Sequence, residues 1–185
     1  MPAEAFSARP MPEALPRLGG LLGVTGGLLW AGQGLLGGGF PATLLFIAPL
    51  LMAAGLAGFY LLHRERSRGL GQSGFTQGMV GLGMLAFGFF GAYTLGEEPL
   101  LRVASFGFLV TAFGLVLTGY ACIKEGLLPR LDWLPLALGA VAPLGLLFGD
   151  AGAVGLALAL LFGSGWVLFG AAVALNLRHG SRPGQ

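Results

Sequence analysis

Residues 18–62 read LGGLLGVTGGLLWAGQGLLGGGFPATLLFIAPLLMAAGLAGFYLL, a run without a single Asp, Glu, Lys, Arg or His. About 20 apolar residues cross the roughly 30 Å hydrocarbon layer of a bilayer as a helix, so this run holds two crossings rather than one. Gly37, Gly38, Gly39, Phe40 and Pro41 divide it. Three glycines in succession stop a helix, and a proline suits the first turn of the next. A tight helical hairpin is the expected result.

Outward from that run the pattern repeats. Uncharged stretches cover 69–96, 103–123, 133–149 and 151–177, and the whole chain is 55% hydrophobic and only 10% charged. A soluble domain of 185 residues has too little interior to hide so much apolar surface. In lipid every backbone group must bond within its own segment, which leaves helices or a closed barrel. The alternation of a lipid-facing barrel strand is absent, and Leu, Ala and Gly dominate instead. The expected fold class is therefore all-α: a polytopic membrane protein of six transmembrane helices arranged as three helical hairpins. The spans fall at about 18–37, 42–62, 75–95, 100–123, 132–148 and 152–176. They divide the chain into an N-terminal segment (1–17), a six-helix transmembrane domain (18–177) and a polar, disordered tail (178–185). Glu97 and Glu98, just ahead of the fourth span, read as its cap. The fifth span is the weakest, with Asp132 placed to cap it, Pro135 in its first turn and Pro143 in its middle.

Charge sets the orientation. Arg9, Arg17, Arg64, Arg66, Arg68, Lys124, Arg130, Arg178 and Arg182 all fall on one side of this threading, and only Arg102 on the other. The positive-inside rule then puts both termini in the cytoplasm, with Glu97, Glu98 and Asp150 outside. Tyr60, Tyr120 and Trp133 lie at cytoplasmic helix ends and Tyr93 at an outer end, as an aromatic belt requires. The localisation expected is a cell membrane, the bacterial inner membrane. The first 17 residues hold four prolines and mixed charge and do not resemble a signal peptide. A net charge of +2, spread over short loops, gives no footing for nucleic acid. The partner expected throughout is the lipid bilayer, with a homo-oligomer or a larger membrane complex as the protein context.

Thirty-five glycines in a helical protein need a physical reason, since each costs about 1 kcal/mol against Ala in a helix interior. On the first span Gly19, Gly23, Gly27, Gly34 and Gly38 project onto one stripe about 100° wide, a flat seam for close helix packing. The bland reading is internal packing, and the sharper one a dimer seam. Gly114 and Gly119 before Tyr120 and Lys124 are matched by Gly165 and Gly170 before Arg178, and Tyr60 with Arg64 repeats the Tyr120 and Lys124 interval. These intervals suggest a triplicated hairpin. In this hairpin style the chain resembles the small six-helix bacterial membrane proteins of the HdeD type, a resemblance that implies an association with acid resistance and carries no functional residue with it. The acetate-uptake signature Asn-Pro-Ala-Pro-Leu-Gly-Leu is not matched, because only Ala142, Pro143, Leu144 and Gly145 approach it, in a different helix.

Chemistry is bounded by absence. Ionisable side chains at membrane depth mark proton relays and ion paths, and none is expected near the middle of any span. Ser164, between Gly163 and Gly165, lacks a base at its depth and reads as a packing residue bonded to a backbone carbonyl, as do Thr25, Thr76, Thr94, Ser105, Thr111 and Thr118. Cys122 reads as a small hydrophobe, and His63 and His179 as interfacial anchors. No catalytic residue, metal site or cofactor is assigned. Gln33 and Gln77, with Thr76, Tyr93 and Trp30, are candidates to line a polar pocket for an uncharged ligand. Arg64, Arg66, Arg68 and Arg178 are candidates to hold anionic lipid headgroups.

Three functions of different class follow. The leading expectation is a non-catalytic accessory, scaffold or stress-related membrane component. A channel or carrier for a small neutral or lipid-like solute needs a continuous cavity touching Gln33, Gln77 or Tyr93. An enzyme needs His63, His179, Glu65 and Lys124 to converge at the cytoplasmic face.

Overall fold

The computed structural model describes residues 14–36, 39–67, 69–128, 130–149 and 151–175. Among them it has six α-helices and no strand: α1 (Ala14–Leu36), α2 (Ala42–His63), α3 (Leu70–Thr94), α4 (Leu100–Glu125), α5 (Leu134–Phe148) and α6 (Ala153–Ala174). Four of them, α2, α3, α4 and α6, are long and apolar enough to cross a membrane, and the chain has the character of a helical membrane protein. The other two fall short for different reasons. Helix α1 has 23 residues, but seven glycines and Gln33 dilute its apolar character. Helix α5 has only 15, about 22 Å at 1.5 Å per residue.

Two expected caps are corrected. Asp132 does not cap α5: the residue before that helix is Trp133, with no side-chain cap, and an Asp132 carboxylate oxygen instead accepts from the Leu128 N–H at 2.6 Å. The carboxylate closes the α4–α5 turn, so α5 begins two residues later than the apolar pattern suggests. Pro135 does occupy the first turn of α5. Glu97 and Glu98 give no side-chain cap to α4, whose preceding residue is Pro99. Their backbone carbonyls serve instead, accepting from Leu100 N–H at 2.9 Å and Leu101 N–H at 3.0 Å. At the other end, α1 already includes Ala14 and takes in Arg17, so the last four residues of the expected N-terminal segment are helical.

The helices form a ring. Each packs on its neighbours in sequence, α6 returns to pack on α1, and α2 touches α6 across the middle. Neighbours run antiparallel: Gly19 faces Gly58 while Gly26 faces Met52, and Gly74 faces Thr118 while Gly88 faces Ala104. The C-terminal ends of α1, α3 and α5 therefore gather with the starts of α2, α4 and α6, here termed the upper end. The two most extensive interfaces are α3 with α4 and α1 with α6, and both are built the same way. Gly74, Gly81 and Gly88 repeat every seven residues on α3 against Gly107 and Gly114 on α4. Gly20, Gly27 and Gly34 do so on α1 against Gly163 and Gly170 on α6. A side chain at Gly27 would meet the Gly163 carbonyl oxygen at 2.6 Å, and one at Gly163 would meet that of Gly27 at 2.7 Å. Only glycine lets the two backbones approach so closely.

The outer surface repeats with the same period but opposite size. Leu21, Leu28 and Leu35 on α1, Phe106, Phe113 and Tyr120 on α4, and Val154, Leu161, Leu168 and Leu175 on α6 are all exposed. In water such a belt far exceeds the few hundred Å² of contiguous apolar surface that soluble monomers expose. In lipid it costs nothing, and the small residues are left for helix contacts.

Candidate functional site

A chain of contacting aromatic side chains runs from the upper end of the bundle to the lower. From the upper end, Tyr93 packs against Phe89 (6.0 Å between ring centres), Phe89 against Trp30 (6.3 Å), and Trp30 against both Phe108 (5.6 Å) and Phe162 (5.5 Å). The column continues through Trp166, Phe169 and Phe59 to His63, with successive centres 6.3, 5.5, 5.3 and 4.8 Å apart. Trp30 lies nearly parallel to Phe108, 6° between planes, and Phe162 meets Trp30 edge-on at 60°. Offset stacks and edge contacts are the arrangements that ring quadrupoles favour. Trp166 and Phe169 are fully buried.

Above the Trp30, Phe108 and Phe162 layer the ring opens into a cup of about 720 Å³. Its wall comes from the upper halves of α1, α3, α4, α5 and α6, with Leu85, Ala142, Leu156 and Ala159 among its apolar residues. Among the described residues that line it, Gln33 and Ser105 carry the only amide and hydroxyl side chains and none is charged. The Ser105 hydroxyl donates to the Leu101 carbonyl at 3.0 Å, while the Gln33 amide makes no hydrogen bond to any described residue. Glycine shapes the rim: Gly34, Gly145, Gly149, Gly152 and Gly155 all face the cup. A side chain at Gly145 would first meet the Phe108 ring at 3.7 Å, and one at Gly152 nothing within 4 Å, though Gly152 has φ +53°.

Of the four residues proposed for a ligand pocket, Trp30 and Gln33 line this cup and Gln77 and Tyr93 do not. Gln77 lies two turns into α3, at the lower end, because α3 enters the bundle from the side opposite to Gln33. Tyr93 is at the right end but exposed, with its ring against Phe89. The stripe on α1 divides between two neighbours. Gly19 and Gly23 face Ala54, Gly55 and Gly58 of α2, whereas Gly27 and Gly34 face Gly163 and Ala159 of α6. Both seams are covered by this chain's own helices, and Gly38 lies outside the described residues. Arg64 and Arg66 are exposed in the turn after α2; Arg68 and Arg178 lie outside the described residues.

Three members of the enzyme constellation lie among the described residues. His63 is buried at the end of α2 with its ring 4.8 Å from Phe59, Glu65 follows in an exposed turn, and Lys124 lies in the last turn of α4; His179 lies outside the described residues. No three His, Cys, Asp or Glu side chains gather among the described residues. Ser164 lies in a shallow apolar groove between α1 and α6 and donates to the Leu161 carbonyl at 3.2 Å. Thr25, Thr76 and Thr111 bond carbonyls one turn back in the same way, but the Thr118 hydroxyl is buried without a hydrogen-bond partner among the described residues.

Sequence reading missed Phe89, Phe108 and Phe162 and did not place Ser105 in a pocket, because nothing in the chain order announces that α1, α3, α4 and α6 meet at one level. The spacing of Phe162, Trp166 and Phe169 at four and three residues was the available signal, marking one face of one helix. Comparison of the chain with protein-family models, with curated proteins and with solved structures found no match.

Proposed function

We propose that this chain is a non-catalytic membrane protein of six crossings, three hairpins closed into a ring, whose upper cup holds a small uncharged molecule. The observation that carries the reading is the cup itself, which has no charged side chain among its described lining residues, is mostly apolar and is floored by the Trp30, Phe108 and Phe162 layer. Its volume of about 720 Å³ lies within the roughly 300–1,000 Å³ range of small-molecule sites. A charged ligand is disfavoured, because an ion desolvated without a partner costs far more than an apolar wall returns. The upper end is proposed to face outward. Among the described basic residues Arg17, Arg64, Arg66, Lys124 and Arg130 fall at the lower end and only Arg102 at the upper, which by the positive-inside rule favours a cytoplasmic lower end with both termini.

The role that fits is an accessory, stress-related component of the bacterial inner membrane, the context that the HdeD-type resemblance implies. A channel fits less well, since the aromatic column continues below the cup. The Gly145→Leu variant tests the reading, because Gly145 lines the cup and a β-carbon there would meet only the Phe108 ring, at 3.7 Å. Small molecules extracted from purified wild-type and variant protein are compared by mass spectrometry. The expected result is a compound held in near-stoichiometric amount by the wild type and lost from the variant. No bound compound, or equal retention by both proteins, overturns the proposal.

A further inference from the structure

One wall of the cup is built unlike the rest. Helices α1 and α6 interlock through paired glycines, and α4 is held to α5 by Gly119 against Leu136 and Gly139 against the Ala112 carbonyl. The α5–α6 contact is the least extensive between neighbours in the ring. The two helices touch low down, where a Leu138 methyl lies 2.5 Å from the position of a side chain at Gly165, and again at the turn, where Gly155 meets the Gly149 carbonyl. Between these points the seam is cavity. Val141, one turn above Leu138, and Leu158, two turns above Gly165, share the faces of that lower contact, and both line the cup.

Helix α5 is also the wall most able to move. It is the shortest helix in the ring and carries Pro143 inside it. Proline removes the hydrogen bond to the Gly139 carbonyl and lowers the stiffness of the helix above it. Gly145, Gly149 and Gly152 follow within the next turns, Gly152 with φ +53°. On the outer face of α5, Leu144 and Leu147 are exposed.

Resting on the reading of the cup as a binding site, we infer that the α5–α6 seam is a lateral gate through which a neutral lipid with one hydrogen-bonding head group passes from the bilayer into the cup. The polar atoms fix that class. The Ser105 proton is committed to Leu101, so the hydroxyl offers lone pairs, and the Gln33 amide offers one acceptor and two donors. A hydroxyl head satisfies both, while the apolar wall receives the hydrocarbon chain. Carboxylate and phosphate heads find no counter-charge among the described lining residues.

The test uses the full chain in phosphatidylcholine vesicles. Trp133, exposed in the α4–α5 turn, is changed to Phe so that emission reports Trp30 at the floor and buried Trp166; Cys122 is buried and stays. A dibrominated long-chain alcohol dissolved in the bilayer is the quencher. Val141→Cys and Leu158→Cys are bridged by a bifunctional thiol reagent that reductant releases. Quenching is expected to saturate at low mole fraction, to slow by an order of magnitude or more when the seam is bridged, and to recover on reduction. The ionised brominated carboxylate of the same chain length is expected to quench without saturation. If bridging leaves the rate unchanged while Gly145→Leu abolishes saturable quenching, the gate is overturned and the cup stands. Equal saturable quenching by the carboxylate overturns the neutral head group. Quenching that never saturates and ignores Gly145→Leu overturns cup and gate together.

Discussion

At the scale of the residue, one added methyl group separates two kinds of glycine. A side chain at Gly27 would stand 2.6 Å from the Gly163 carbonyl oxygen and 2.8 Å from the Val167 nitrogen, both backbone, so α1 and α6 must part to admit it. At Gly83, which is exposed, it would meet nothing within 4 Å. Gly27→Ala is expected to lower stability by about 1–3 kcal/mol as an overpacked core does, and Gly83→Ala to raise it by up to about 1 kcal/mol through helix propensity. Reversible unfolding in mixed detergent micelles, followed by circular dichroism, checks both, and equal stability of the two variants would remove the interlock. Cys122 supplies a second check at this scale. It is 0% exposed in α4, so maleimide is expected to leave the folded protein unlabelled and to react only as it unfolds. Glycine abundance pointed to close packing in the sequence, and particular glycines of α1 lie against α2 and α6. The stripe on α1 nevertheless merged two seams, because a helix in a ring has two neighbours and a projection of one helix cannot say where one contact ends and the next begins.

At the scale of the element, α2, α4 and α6 lie within two residues of their expected bounds, because charge or glycine and proline mark both ends of each apolar run. Helix α3 does not. It begins at Leu70 rather than at residue 75, since Gln72 and Ser73 look like loop to hydropathy but break no helix and stand exposed on its first turn. Helix α5 erred the other way, with Asp132 bonded backward to Leu128 instead of forward. The end of α4 is the most testable boundary. Gly126 takes a left-handed conformation, φ +61° and ψ 46°, and the Leu127 N–H beyond it bonds the Cys122 carbonyl at 3.2 Å. A β-carbon in that conformation costs about 1–2 kcal/mol. Gly126→Ala is therefore expected to lose about that much stability and Gly126→Asn less, since Asn tolerates the left-handed region. Thermal denaturation in detergent distinguishes them, and an Ala variant as stable as wild type would mean that α4 ends elsewhere.

At the scale of the whole molecule, the class of fold and the number of helices could be read from apolar runs separated by charge and proline, but the closure of α6 onto α1 could not. Apolar antiparallel helices are interchangeable in composition. What selects partners here is register: glycines seven apart on α1 meet glycines seven apart on α6, and those on α3 meet those on α4. The aromatic column, and with it the cup, follows only once that register is set. The ring makes the number of crossings the property on which the rest turns, and α5 is where it is most exposed to test. At about 22 Å α5 is shorter than a hydrocarbon layer of roughly 30 Å, so it crosses only if the bilayer thins beside it or the turn between α5 and α6 dips below the surface, accommodations known for short spans. Single cysteines at Arg64, Lys124, Glu98, Arg102 and Ala151 report the outcome against a buried, silent Cys122. With a membrane-impermeant maleimide on intact cells, cysteines at Glu98, Arg102 and Ala151 are expected to label, and those at Arg64 and Lys124 only after permeabilisation. A cysteine at Ala151 that labels with the Arg64 group would mean that α5 turns back within the membrane. The cup, whose rim includes Gly149 and Gly152, would then lose the wall through which its ligand is proposed to pass.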